Sequence, residues 1–169
     1  AFQSIAGAMP TQKVPLDVQV TETVDMGSYT RKLLTYATDP GNRVPAYLCI
    51  PKTATKDKPV PAVLCLHPTE AKIGHKVVVG LGGKANRQYA AELAERGFIT
   101  LSPAYTQLAN YQPDLAALGY ASGTMKSIWD NRCGLDLLDA MPEVNKTRGY
   151  AAIGHSLGGH NAIYTAVFD

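Results

Sequence analysis

Residues 150–163, YAAIGHSLGGHNAI, constrain the path of the backbone more tightly than any other stretch of this sequence. YAAI reads as a short apolar strand and LGGHNAIYTAVF as a helix, with only a tight turn between them and Ser156 at its tip. Gly154, Ser156 and Gly158 stand in a G-x-S-x-G arrangement. The reason for that spacing is steric. A strand that turns at once into a helix forces its middle residue into a strained conformation and lifts the side chain above the sheet. Small residues two before and two after avoid a collision with the neighbouring strand and helix.

The segments leading to this turn alternate between strand and helix patterns. KVPLDVQVTETVDMGSYTRKLLTYATD reads as exposed or edge strands around a glycine turn, PGN at 40–42 as a second turn, and VPAYLCIP as the next strand. VPAVLCLH is an apolar run of the length expected for a strand covered on both faces. From Lys84 to Gly97, Ala85, Tyr89, Leu93 and Ala94 recur at helical spacing, and Gly97 is a natural stop. FITLSPA follows as a buried strand. A second helix is expected from about Thr124 to Ala140, with Met125, Ile128, Trp129, Cys133 and Leu137 on one apolar face. The pattern predicts an α/β fold, a mostly parallel sheet flanked by helices and preceded by N-terminal antiparallel strands. No internal repeat or linker divides the chain; residues 1–27 read as a lead-in and 28–169 as one domain.

At 169 residues with 46% hydrophobic and 18% charged residues, the chain has the composition of a globular domain. A net charge of +2 without a Lys/Arg run gives no electrostatic support for nucleic-acid binding, and no apolar run is long enough to span a bilayer. The opening AFQSIAGAMPTQK reads as the end of a helix and then a turn at Pro10, without the pattern of a signal peptide, which favours a cytoplasmic location. The odd set Cys49, Cys65 and Cys133 is expected as reduced core thiols. Asn145-Lys146-Thr147 matches a glycosylation sequon without supporting context.

The helix after Ser156 presents unpaired backbone N–H groups toward charge developing on a substrate oxygen, Leu157 first among them. A second donor is expected from the loop after VLCLH. Pro68 has no N–H, which leaves Thr69 or His67. Tyr105 follows a sheet strand at its C-terminal end, where ligands of open α/β folds bind, and joins His155 as an expected substrate contact. A serine nucleophile also needs a base about 3 Å away, held by an acid. His155 adjoins the nucleophile with its side chain expected to point elsewhere, and His160 lies a helical turn on. His67 and His75 are the only local stand-ins. VVVGLGGKA, with Gly80, Gly82 and Ala85, fits a dinucleotide-loop variant, but the following strand ends LSPAY without a ribose-binding acid, so no cofactor is expected. His67, Glu70 and His75 match no common metal-site spacing, and no metal is expected.

VLCLHPT, LAERGFITLSPAY, WDNRCGLDLLDAMPEV and YAAIGHSLGGHNAI together resemble the α/β-hydrolase superfamily, and within it the dienelactone-hydrolase and acetyl-xylan-esterase-like serine esterases. The resemblance covers about residues 28–169. It implies an eight-stranded sheet, Ser156 as the nucleophile after the fifth strand, and carboxylic esters, small or on carbohydrate, as substrates. It also implies a triad aspartate and histidine further along than Asp169, so the chain is expected to carry a partial domain that stops after the helix following the nucleophile. The last strand would then form an open apolar edge, available for self-association or for a complementing C-terminal segment. His67-Pro68 departs from the His-Gly found in many relatives at the oxyanion loop. A non-catalytic fragment or partner-binding module is the rival expectation.

Overall fold

The structure, a computed structural model, describes residues 2–147 and 149–169. Its elements in chain order are α1 (Phe2–Ala6), β1 (Gln19–Asp25), β2 (Tyr29–Asp39), β3 (Asn42–Pro51), β4 (Ala62–Leu66), a 3₁₀ helix (Gly74–Val79), α2 (Tyr89–Glu95), β5 (Ile99–Pro103), α3 (Gly123–Asp139), β6 (Ala151–Gly154) and α4 (Leu157–Phe168). The six strands form one sheet in the order β1-β2-β3-β5-β4-β6.

The sheet is mixed, which corrects the expectation of a mostly parallel one. β1–β2, β2–β3 and β3–β5 pair antiparallel, while only β5–β4 and β4–β6 pair parallel. The cause is the pair of tight turns at Gly27 and Gly41, both at positive φ, which fold the first three strands into a meander. β3 then meets β5 with Ala46 opposite Pro103, so the meander carries its antiparallel sense into the parallel half.

Alternation along the strands divides the interior into two layers. Leu34, Tyr36, Ala46, Leu64, Leu66 and Leu101 face α3, while Tyr47, Cys49, Val63 and Cys65 face the 3₁₀ helix and α2. All three cysteines are buried free thiols. The helix expected from Lys84 begins only at Tyr89, because Gly82, Gly83 and Asn86 take positive φ and hold the preceding chain out of helical geometry. The β-branched run Val77–Val79 is likewise no strand; it closes the 3₁₀ helix and is buried against the sheet.

β6 pairs with β4 on one side and, among the described residues, with nothing on the other. Beside that edge Ile153 is 39% exposed, and on α4 Ile163 and Val167 are 67% and 71% exposed. No helix of the described residues is long and apolar enough to cross a membrane.

Candidate active site

The turn between β6 and α4 is as tight as its sequence requires. Ser156 has φ 54° and ψ −119°, a sparsely populated conformation for a residue with a side chain. Its two glycines are there for want of space. A Cβ on Gly158 would stand 2.6 Å from the carbonyl carbon of Leu66 and 2.8 Å from the carbonyl oxygen of His67; one on Gly154 would stand 2.7 Å from the nitrogen of Gly159. Both sets are backbone atoms, so neither site can yield by rotating a side chain. The start of α4 is thereby pressed onto the end of β4, and Ser156 is presented at the C-terminal end of the sheet.

Ser156 and His155 are exposed and share an open cleft of about 180 Å³ with Pro68, Thr69, Glu70, Val77, Lys84 and Arg87. Leu157 opens α4, and its N–H has no acceptor within the helix. Thr69 follows the proline that lacks a donor. Thr69 lines the same cleft as Ser156, and Leu157 is the residue that follows the serine at the start of α4.

His67 lies beneath the cleft, almost wholly buried. Its Nε2 accepts the Tyr105 backbone N–H at 2.9 Å, so the proton resides on Nδ1, which donates to the Pro68 carbonyl at 2.8 Å. Burial lowers its pKa to about 4. The ring is thus neutral, committed on both nitrogens, and shapes the loop rather than accepting a proton. His75 is buried beside it, 6.4 Å between ring centroids, with its pKa lowered by burial to about 3. His160 sits on the exposed face of α4, edge-on to Tyr164 at 4.5 Å. No histidine is hydrogen-bonded to the Ser156 hydroxyl among the described residues, and no serine–histidine–aspartate arrangement is formed there. Tyr105 stands outside the cleft lining; its phenol shares a 3.1 Å hydrogen bond with Thr124. Among the described residues no group of three or more His, Cys, Asp or Glu side chains is placed to hold a metal ion.

Three residues of this region escaped the sequence reading. Tyr89, counted there as part of an apolar helix face, donates its hydroxyl to the Leu66 carbonyl. Burial pushes that phenol up to about 12, against the pull of the His155 backbone N–H beside it. One side chain on α2 thus ties the end of β4 to the turn. Lys84 and Arg87 reach the cleft because the glycine pair before Lys84 ends any helix there, a signal that Gly82-Gly83 carried and helical spacing obscured.

No protein-family model matches the sequence, and no curated protein does. Solved structures do resemble it. A Bacteroides fragilis protein described as an acetyl xylan esterase superposes with a TM-score of 0.75 at 18% identity, over 99% of this chain and 48% of its own. A glucuronoyl esterase from Solibacter usitatus gives 0.70 at 20% identity, over 97% of this chain and 52% of its own. An acetyl xylan esterase from Paenibacillus sp. R4 gives 0.68 at 20%, over 92% and 51%. At these identities the likeness is one of fold alone. The chain spans about half the length of each of these proteins.

Proposed function

We propose that this chain carries the nucleophile and oxyanion portion of a serine ester-hydrolase site, and that its own residues do not complete the catalytic cycle. The observation that carries this reading is the strained turn at Ser156, open to solvent at a helix N-terminus, with no histidine bonded to its hydroxyl. In the proposed reaction the Ser156 oxygen attacks the ester carbonyl carbon and its hydroxyl proton passes to water. The carbonyl oxygen takes the negative charge between the N–H groups of Leu157 and Thr69. As the C–O bond to the alcohol breaks, the departing alkoxide is protonated by solvent and an acyl-serine remains. Its hydrolysis needs a base to activate water, and His67, the buried imidazole at the end of β4, is engaged on both nitrogens. Carboxylic esters are the substrate class that the names of the similar structures support. Oxyanion and positioning effects without a triad leave roughly 10³–10⁴-fold acceleration over water. A full triad would draw its histidine and aspartate from outside these residues.

A second reading, a partner-binding module working through the β6 edge, is favoured by the exposed Ile153, Ile163 and Val167. Intact mass after incubation with a fluorophosphonate separates the two. A slow single adduct, absent from Ser156→Ala, together with release of no more than one equivalent of alcohol per chain from an acetyl ester, is the expected result. A folded protein that gains no adduct would remove the nucleophile and leave the binding module. Sustained turnover would refute the incomplete site.

A further inference from the structure

The segment from Gly80 to Arg87 has no part in the chemistry above, yet its Lys84 and Arg87 line the serine's cleft. Gly80, Gly82, Gly83 and Asn86 all take positive φ, so the loop is tightly folded. Gly83 is packed on Val77 so closely that a Cβ there would clash with the valine side chain, and Val77 itself lines the cleft. Lys84 follows directly. Arg87 precedes by two residues the Tyr89 whose hydroxyl is fixed to the end of β4. Both residues are therefore placed at the cleft by backbone packing and by an anchored helix start.

Neither cation is neutralised. Lys84 and Arg87 make no ion pair among the described residues, a state they share with Lys32, Lys56, Lys58, Lys72, Lys76 and Lys146, but of these cations only Lys84 and Arg87 line the serine's cleft. The one carboxylate in the lining, Glu70, accepts the backbone N–H of Lys72 at 3.1 Å, so part of its capacity is spent within its own loop. Two cations face one carboxylate, beside a helix N-terminus that adds to the positive potential. The cleft holds about 180 Å³ and is lined by both cations and by Ser156, so one small ligand can meet all three.

Resting on the serine-hydrolase reading, we propose that Lys84 and Arg87 form an anion subsite that selects esters bearing a carboxylate close to the scissile carbonyl. Arg87 can engage the carboxylate through two parallel N–H donors, and Lys84 contributes as a point charge. Because both are solvent-accessible, each contributes a factor of about five at most, and added salt reduces it.

The test uses two matched ester pairs: 3-acetoxybenzoate against its methyl ester, with the charge on the alcohol side, and phenyl hydrogen glutarate against phenyl methyl glutarate, with the charge on the acyl side. Acylation of Ser156 is followed by intact mass. The expected result is about a tenfold preference for the anion in at least one pair, falling toward unity in Lys84→Gln/Arg87→Gln and in high salt. In parallel, 3-acetoxybenzoate and glutarate are titrated into Ser156→Ala protein while the backbone amide signals of Thr69 and Arg87 are recorded. Saturable binding that weakens about tenfold in the double glutamine variant is expected. Acylation without charge preference, together with no saturable shift, would overturn the subsite and leave the nucleophile standing. No acylation by any ester, with saturable cation-dependent binding intact, would overturn the hydrolase reading and leave an anion site. Loss of both would overturn both.

Discussion

Replacing Lys126 by methionine tests how the fold holds charge in its core. Lys126 is 0% exposed, and its ammonium lies between Asp130 and Asp39, the latter at 3.0 Å. Each carboxylate has a further donor: the Tyr120 hydroxyl reaches Asp39 at 2.8 Å and the Tyr111 hydroxyl reaches Asp130 at 2.9 Å. The cluster joins the end of β2, the loop before α3 and α3 itself. Burial raises the pKa of Asp130 despite the opposing pull of Lys126, so this carboxylate is held charged against its surroundings. Methionine fills a similar volume but leaves two buried carboxylates for no cation. Removing one partner of such a pair costs about 3–5 kcal/mol, against a typical total of about 5–15 kcal/mol.

The sign of the pH dependence follows from the raised pKa. A carboxyl whose folded pKa lies above its unfolded value favours folding when protonated, and that contribution is lost as pH rises through the folded value. Without Lys126 the folded value climbs further, so the difference between variant and wild type is largest near pH 7 and shrinks toward pH 5. Urea unfolding followed by Trp129 fluorescence is a direct assay. It is the one tryptophan of the chain, and its indole N–H donates to the Thr38 carbonyl at 2.8 Å beside the cluster. Adding Asp130→Leu to Lys126→Met removes one of the two stranded carboxylates and is expected to recover part of the loss, Asp39 remaining buried without its cation. A loss below about 1 kcal/mol at pH 7, or an equal loss at both pH values, would refute the argument.

Gly158→Ala is expected to cost about 3 kcal/mol and to abolish fluorophosphonate labelling, because the new methyl meets the backbone of Leu66 and His67; differential scanning calorimetry and intact mass read the two effects. Tyr89→Phe leaves the Leu66 carbonyl without its hydroxyl donor, with an expected loss of about 1–3 kcal/mol in thermal unfolding and a slower adduct at Ser156; an unchanged labelling rate would show that the turn holds its shape without the tether. His67 and His75 have folded pKa values of about 4 and about 3, below their unfolded values, so their contribution is present above about pH 6.5 and is lost as pH falls. Acidification from pH 7 to 5 should lower unfolding stability by about 2 kcal/mol for each ring, and His67→Gln should remove one ring's share; equal slopes in variant and wild type would contradict it.

What was legible in the sequence was local. The glycines at 154 and 158 specify a turn within a few residues, and α3 announced itself through Met125, Ile128, Trp129 and Cys133, all buried in the structure. Pairing between distant strands was not legible: nothing in VPAYLCIP says that it lies against FITLSPA rather than VPAVLCLH, which is why the mixed sheet was missed. The start of α2 was misplaced because apolar spacing from Ala85 onward imitates a helix while Gly82, Gly83 and Asn86 forbid one. Lys126 reads as the polar face of α3, and only the folded chain brings Asp39 to it. The residues proposed for the chemistry divide the same way. Ser156 is marked by its neighbours in sequence, whereas Tyr89 meets the end of β4, and Lys84 and Arg87 line the cleft, only in the folded chain.

The dependence of the serine's geometry on distant partners gives it a place in the order of folding. β6 meets β4 with Val63 opposite Ala151 and Leu66 opposite Gly154, pairs separated by about half of the chain, and such contacts close late. The angles at Ser156 are imposed only when β6 lies in register and α4 rests on Leu66. Until then the residue relaxes to ordinary backbone values and its hydroxyl behaves like that of any serine in water. Trp129, by contrast, lies in a helix packed on the meander and β5, whose pairings need none of the last segment. During refolding, tryptophan burial should therefore run ahead of serine reactivity, and the lag between the two signals would time the docking of the final strand and helix.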